Sequence, residues 1–213
     1  KARELLPGVI GPVVDLLQVD QSYVTAIETA LGGSLQYLVA ESESAVHRAI
    51  KYLKNNNYGF ATFLPLDILH SAADPLKRYP GWQKQNGVVG RASDIVKADP
   101  IYEKAINYLM SSVIVCENLE HASNFARFIK YSCRVVTLEG EMINPGGVMR
   151  GGSLPGRNAA MPLGRRKEIE KLEQQYKAVK KEFANQSIIV KQIRDKLSKI
   201  QSNSEEIVKH KQK

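Results

Sequence analysis

The side chains able to do chemistry are sparse in this sequence of 213 residues. His47, His70, His121 and His210 stand alone, with no pair at metal-ligand spacing. The run Gly146-Gly-Val-Met-Arg-Gly-Gly152 is glycine-rich but lacks the Lys-Ser/Thr that would complete a phosphate-cradling loop. No G-x-S-x-G nucleophile elbow occurs. Glu139 and Glu141 flank Gly140 and can share one face of a strand, but no metal ligand or electrophile is in view. No catalytic, cofactor-binding or metal-ligating residue is therefore assigned, and the chain is read as non-enzymatic.

Two signals of a physical kind remain. The first is a set of glycines at Gly140, Gly147, Gly151 and Gly152, placed between a mixed α/β pattern and a heptad repeat. Glycine is entropically costly, so such a set implies positive φ angles or a close approach of main chains. An open strand edge lined by glycine invites pairing with another chain; the competing reading is that all four serve turns within one monomer. The second signal is cationic: Arg150, Arg157, Arg165, Arg166 and Lys167. Such a group can neutralise several phosphates in a salt-sensitive, sequence-independent way. No aromatic residue is interleaved with it, so base stacking is weakly supported.

Charge is unevenly placed. Residues 164–213 hold 14 Lys/Arg against 7 Asp/Glu, whereas residues 1–163 hold 16 against 15. A nearly neutral body followed by a basic tail points either to a polyanionic partner near the junction or to a solvated coiled-coil face. Hydrophobic residues make up 43% of the chain, enough to fill a core. No apolar run approaches the ~18–20 residues of a membrane helix. Cys116 and Cys133 sit in apolar, strand-like runs and read as reduced core thiols, which suits a cytoplasmic protein. Lys1 is not an initiator methionine, so the sequence is read as a fragment.

The elements follow from periodicity and punctuation. Leu5–Pro12 is broken by proline and glycine, and Val13–Val19 reads as a strand. A helix is expected from Tyr23 to about Leu31, capped by Ser22, then a strand over Leu35–Ala40. Ser42 or Ser44 caps a helix through about Lys54, with Ala45, Ala49, Ile50 and Leu53 inward. Phe60–Leu64 reads as a short buried strand. After a Pro/Gly-punctuated stretch containing Trp82, Gly87–Val96 is extended, and a helix begins at Asp99-Pro100 and runs to about Met110. Val113–Cys116 is a buried strand, Asn118 caps a helix to about Lys130, and Arg134–Leu138 and Glu141–Asn144 are strands. The alternation argues for an α/β (α+β) fold of two compact halves, about 8–64 and 87–153. From Gly164 on, Ile169, Leu172, Tyr176, Val179, Phe183, Gln186, Val190, Ile193, Leu197, Ile200, Ser204 and Ile207 keep steps of three and four. That is a coiled-coil seam. It needs a partner helix, and nothing in 1–163 supplies one. The expected partner is chain upstream of Lys1, of which residues 1–6 would be the end.

The residues then resemble one family. Gly140-x6-Gly147-x3-Gly151-Gly152 is similar to the glycine signature of the hinge domain of structural maintenance of chromosomes (SMC) proteins. Val136-Thr-Leu-Glu-Gly-Glu-Met-Ile-Asn-Pro-Gly-Gly147 and Leu163-Gly-Arg-Arg166 look like the bacterial branch. Gly8-Val-Ile-Gly-Pro-Val-Val-Asp-Leu-Leu17, Ala26-Ile-Glu-Thr-Ala-Leu-Gly-Gly33 and Ala61-Thr-Phe-Leu-Pro-Leu-Asp67 are also similar to hinge segments. The resemblance implies a two-lobed SMC-hinge fold at the end of an antiparallel coiled coil. It implies a head-to-tail, two-fold homodimer, first lobe against second, with Gly140, Gly147, Gly151 and Gly152 at the interface. It implies a role in chromosome condensation and segregation, on the bacterial nucleoid in the cytoplasm. It also implies DNA contact near the hinge–coil junction, preferentially single-stranded, for which Arg150, Arg157, Arg165, Arg166 and Lys167 are the candidates. Two departures stand out: Met149-Arg-Gly-Gly152 replaces the common Met-Thr-Gly-Gly, and Ser153-Leu-Pro-Gly-Arg157 replaces a lysine cluster found in some bacterial hinges.

The reading is thus a non-catalytic dimerisation hinge without cofactor or membrane partner. Residues 1–6 end an N-terminal coil strand, 7–64 form lobe I, 65–86 an irregular connector, 87–163 lobe II with the glycine motif, and 164–213 a C-terminal coil helix. The alternative is a coiled-coil adaptor that recruits a protein partner, with the globular part as a cap.

Overall fold

The structure, a computed structural model, describes residues 6–70, 73–152 and 162–211. It divides into two compact units, 1–164 and 165–213. The first unit opens with β1 (Val9–Pro12), a single helical turn α1 (Val13–Leu16), α2 (Val24–Leu31), β2 (Leu38–Ala40), α3 (Glu43–Asn55) and β3 (Phe63–Pro65). After two short 3-10 turns at Pro75–Arg78 and Trp82–Lys84 come β4 (Val88–Arg91), α4 (Ala92–Ile95), α5 (Glu103–Met110), β5 (Val113–Cys116) and α6 (Leu119–Phe128). Strands β6 (Arg134–Thr137), β7 (Met142–Ile143) and β8 (Met149–Arg150) complete it. Ser42 and Asn118 start α3 and α6 by accepting the amide protons of Ala45 and His121, at 3.3 and 2.9 Å. The second unit consists of the greater part of one helix, α7 (Pro162–Lys211), of 50 residues.

The strands form two sheets, β1-β2-β3 and β4-β5-β6-β7-β8. In each, the first pair is antiparallel and the next is parallel. The parallel pairs are joined by α3 and α6, as a crossover requires. This is a structural repeat. Gly8-Val-Ile-Gly-Pro-Val-Val-Asp-Leu-Leu17 is matched by Gly87-Val-Val-Gly-Arg-Ala-Ser-Asp-Ile-Val96, and β1 and β4 shift register at the same place, between Val9 and Gly11 and between Val88 and Gly90. Gly8 (φ +89) and Gly87 (φ +71) both lie against the first turn of the crossover helix. A Cβ on Gly8 would stand 2.7 Å from the Ala45 Cβ, and one on Gly87 2.0 Å from His121 Nδ1. Gln18 and Lys97, at matching positions, bond to each other: each amide donates to the other's carbonyl, at 2.7 and 2.9 Å. The two repeats thus meet at equivalent residues.

The inner faces of both sheets share one core. Val39 and Leu64 of the first sheet, Ile27 of α2, Ala105 and Met110 of α5, and Val113, Val115 and Val136 of the second sheet belong to one buried cluster. The expected halves are therefore fused through their interior. Alternate residues of β5 and β6 face the other way: Ile114, Cys116 and Val135 pack under Phe125 and Ile129, with Leu76 and Trp82 of the connector.

Several sequence expectations are corrected. The first strand is Val9–Pro12, and Val13–Leu16 is helical, because the two-strand ladder with β2 begins at the bulge and not after it. Gly87–Val96 likewise divides into β4 and α4. Ser22 makes no side-chain cap and lies inside a 3-10 turn, Gln21–Tyr23. Leu35–Gln36 belong to another 3-10 turn, so β2 starts only at Leu38. Ile50 is exposed and Val46 takes its place in the core. Phe60, expected to be buried, is fully exposed, because β3 begins only at Phe63. Trp82 is buried against Phe125, with ring centroids 6.4 Å apart. Cys116 and Cys133, by contrast, are free and buried as expected, and burial pushes the Cys116 thiol up to about 12.

The connector is held by Arg91. Its guanidinium bonds Asp74 at 2.9 Å and the Ser111 carbonyl at 2.8 Å, and lies 5.4 Å from the Trp82 ring centre. Burial tends to raise the Asp74 carboxyl, but the Arg91 hydrogen bond, the Leu76 amide and nearby positive charge together hold it below 3.8. A carboxyl depressed in the folded state stabilises above its unfolded value of about 3.9, and that stability is lost as pH falls through the folded value. Asp74→Asn should cost about 1–2 kcal/mol at pH 7, and the deficit should shrink as pH falls below the unfolded value of about 3.9. Urea unfolding at a series of pH values checks this; a deficit independent of pH contradicts it.

Candidate functional site

The glycine motif folds into two consecutive hairpin turns. At the first, the Gly140 amide donates to the Thr137 carbonyl at 3.1 Å with φ at +91°, and Gly140 is buried. The Thr137 hydroxyl and the Glu141 carboxylate share a short hydrogen bond that braces this turn. At the second, Asn144-Pro145-Gly146-Gly147 closes through the Gly147 amide on the Asn144 carbonyl at 3.0 Å. Proline followed by glycine at φ +83° suits a turn that needs a left-handed third residue. The Asn144 amide then donates to Val148 at 2.8 Å, which starts β8. Gly147 (φ +92) lies beside Tyr131, where a Cβ would make ordinary contact at 3.7 Å. Gly151 lies beside Glu141, where a Cβ would stand 3.1 Å from Cγ, and Gly152 has φ +123. Gly140, Gly151 and Gly152 are thus at one end of the hairpin and Gly147 at the other. Backbone conformation within the monomer already requires glycine at 140, 147 and 152.

The hairpin leaves β8 as the outer strand of its sheet, and β3 is an outer strand of the other. Their open sides can be read from the bonds they make inward. Asn144 bonds Val148, so by the two-residue alternation Val148 and Arg150 address β7, and the main chain of Met149 and Gly151 addresses the open side. In the parallel pair, Leu38 bonds Thr62 and Leu66 bonds Ala40, so Ala61 and Phe63 address the open side of β3. Apolar side chains gather at both places. Val148 and Met149 are exposed by 68% and 56%. Beside β3, an apolar groove of about 420 Å³ is lined by Ile50, Leu53, Phe60 and Ala61.

The cationic candidates are distributed. Arg150 is exposed on β8. Arg165, Arg166 and Lys167 follow one another near the start of α7, about 100° apart around its axis. Arg157 lies outside the described residues. On α7, the seam residues Ile169, Leu172, Tyr176, Val179, Phe183, Val190, Ile193, Leu197 and Ile200 are all exposed. Among the described residues, no group of His, Cys, Asp and Glu can hold a metal, and no helix is long and apolar enough to cross a membrane. The sequence reasoning missed the internal repeat, although its signal, two G-V-[IV]-G-x3-D runs, is present in the chain.

Comparison with known proteins follows the same lines. The profile of the family described as SMC proteins flexible hinge domain matches residues 6–126. The chromosome partition protein Smc of Bacillus subtilis is 39% identical over 170 residues, 80% of this chain and 14% of that protein. Its namesake in Methanocaldococcus jannaschii is 40% identical over 149 residues, 70% of this chain and 12% of that protein. The chain therefore spans a small part of the length of the curated relatives it matches. Among solved structures, an asymmetric dimer of the Geobacillus stearothermophilus SMC hinge domain is 41% identical, with a TM-score of 0.69 over 86% of this chain and 73% of that one. The Pyrococcus furiosus SMC hinge domain is 29% identical, with a TM-score of 0.57 over 73% and 79%. With its duplicated sheets, its glycine hairpin and the long helix that follows, this chain belongs to the SMC hinge-domain family.

Proposed function

We propose that the chain is the dimerisation hinge of an SMC chromosome-partition protein, and that two copies join by adding β8 of one to β3 of the other. The observation that carries this reading is that one subunit ends both of its sheets on open strands flanked by exposed apolar side chains. Addition would merge the three-stranded sheet of one copy with the five-stranded sheet of its partner, and a two-fold axis would repeat the junction. Val148 and Met149, on opposite faces of the added strand, would be covered by the partner, one of them by the groove beside Phe60, where a large side chain taken out of water contributes up to about 1.5–3 kcal/mol. Gly151 and Gly152 would keep the approach narrow, and Gly140 and Gly147 would shape the hairpin that presents it. The Geobacillus stearothermophilus hinge domain forms an asymmetric dimer, which supports the pairing of two copies.

The exposed seam of α7 is proposed to receive a coil strand from chain upstream of Lys1. Arg150, Arg157, Arg165, Arg166 and Lys167 are proposed to contact DNA phosphates, with single strands preferred. The parent protein is proposed to act on the nucleoid.

Replacing Gly151 and Gly152 together by valine should give monomers in sedimentation velocity, and Met149→Glu or Phe60→Glu should weaken dimerisation at least about tenfold, about 1.4 kcal/mol. Parent-like dimers in all three would contradict the interface. Reversing the charge of Arg150, Arg165 and Arg166 should weaken binding of a single-stranded oligonucleotide. It should also reduce the salt slope by about 0.7 for each phosphate no longer neutralised. Equal affinity and equal slope would remove these residues from the DNA contact.

A further inference from the structure

Arg134 opens β6, and its half-buried guanidinium makes two bonds to distant parts of the chain. Nη1 donates to the Ala30 carbonyl at 2.7 Å, and Nε donates to Asn144 Oδ1 at 3.3 Å. Ala30 lies in the last turn of α2, where carbonyls lack helical partners and a cation is favoured. Asn144 is the root of the β7–β8 hairpin, since its amide and carbonyl make the bonds to Val148 and Gly147 that close it. Both acceptors are neutral oxygens, so the link is set by geometry. A single side chain ties a helix of the first repeat to the hairpin that carries the open edge of the second.

The internal repeat shows what is particular about this link. Val39 pairs with Leu64 as Val115 pairs with Val136, so Thr62 stands where Arg134 does. Thr62 is exposed, and among the described residues no hairpin extends the sheet beyond β3. The arginine occurs in the repeat that has a hairpin to hold.

We propose that Arg134 is a positioning residue that fixes the open side of β8 relative to β3 of the same subunit, so that a second copy can engage both edges at once. This rests on the dimer reading above. A two-fold dimer of this kind needs two junctions. Once the first has formed, the second is intramolecular, and its effective concentration depends on how well the two edges are already spaced. A hairpin freed from α2 still offers β8 but loses part of that second gain.

The test uses the full chain with Arg134→Met, Asn144→Ala and the double variant, measuring the dimer dissociation constant by sedimentation. Each single variant should dimerise about tenfold more weakly, about 1.4 kcal/mol. The double should be no weaker than either single, because both remove one link. Arg134→Lys, which keeps the charge but cannot span both acceptors, should resemble Arg134→Met. Hydrogen exchange should accelerate in β8 but not in β5, a difference that general destabilisation would not produce. Parent-like dimerisation of both single variants, additive effects, or rescue by lysine would overturn the assignment. If the glycine variants are monomeric while Arg134→Met and Asn144→Ala dimerise like the parent, only the role of Arg134 fails. If the glycine variants also dimerise normally, the edge reading itself fails.

Discussion

Main-chain amides and carbonyls left without partners at the edge of a sheet are the constraint from which the rest of this structure can be understood. Proteins usually blunt such edges with proline, charge or a bulge. Here the blunting is partial: Pro65 closes the far end of β3, and Arg150 sits on β8. Yet Phe60, Val148 and Met149 are exposed at those same places. An apolar side chain next to an open ladder is costly for a monomer in water and useful to a pair. In the proposed dimer, hydrogen bonding sets the register and apolar burial supplies most of the favourable free energy.

For two edges to be engaged together they must be held at a fixed spacing, and the duplicated core does this. The two sheets enclose one buried cluster, and the Gln18–Lys97 bridge joins the repeats at equivalent residues. What differs between the repeats is then informative. The second repeat adds the β7–β8 hairpin, gains the connector packed by Trp82, and carries Arg134 in place of Thr62. The first repeat stops at β3 with its edge bare, and the hairpin is the one extra element of matching type among the described residues.

Much of this is legible in the residues. Val113–Cys116 is an uninterrupted apolar run buried on both faces, and it is a strand at those residues. Ser42, Asn118 and Pro100 mark helix starts by local chemistry that tertiary structure does not override. The heptad steps of α7 survive because they depend on one period alone. The failures have a common cause in long-range context. Val13–Leu16 is rich in β-branched and apolar residues and reads as a strand, but the ladder is used up by Val9–Pro12 before it. Phe60 looks like core until the strand is seen to start three residues later. Arg134 is an ordinary arginine before a strand; its meaning comes from Ala30, 104 positions away. Glycine at 140, 147 and 152 suggests close approach of main chains, and the positive φ values show that turn geometry also demands it.

The central claim is that the amides of Ala61, Phe63, Met149 and Gly151 face a second copy. Hydrogen exchange resolved at these amides, followed from dilute to concentrated protein, tests it most directly. The account predicts fast exchange when dilute and strong protection as dimers form, at both edges together. Dimers in which these four amides still exchange as in the monomer would contradict it.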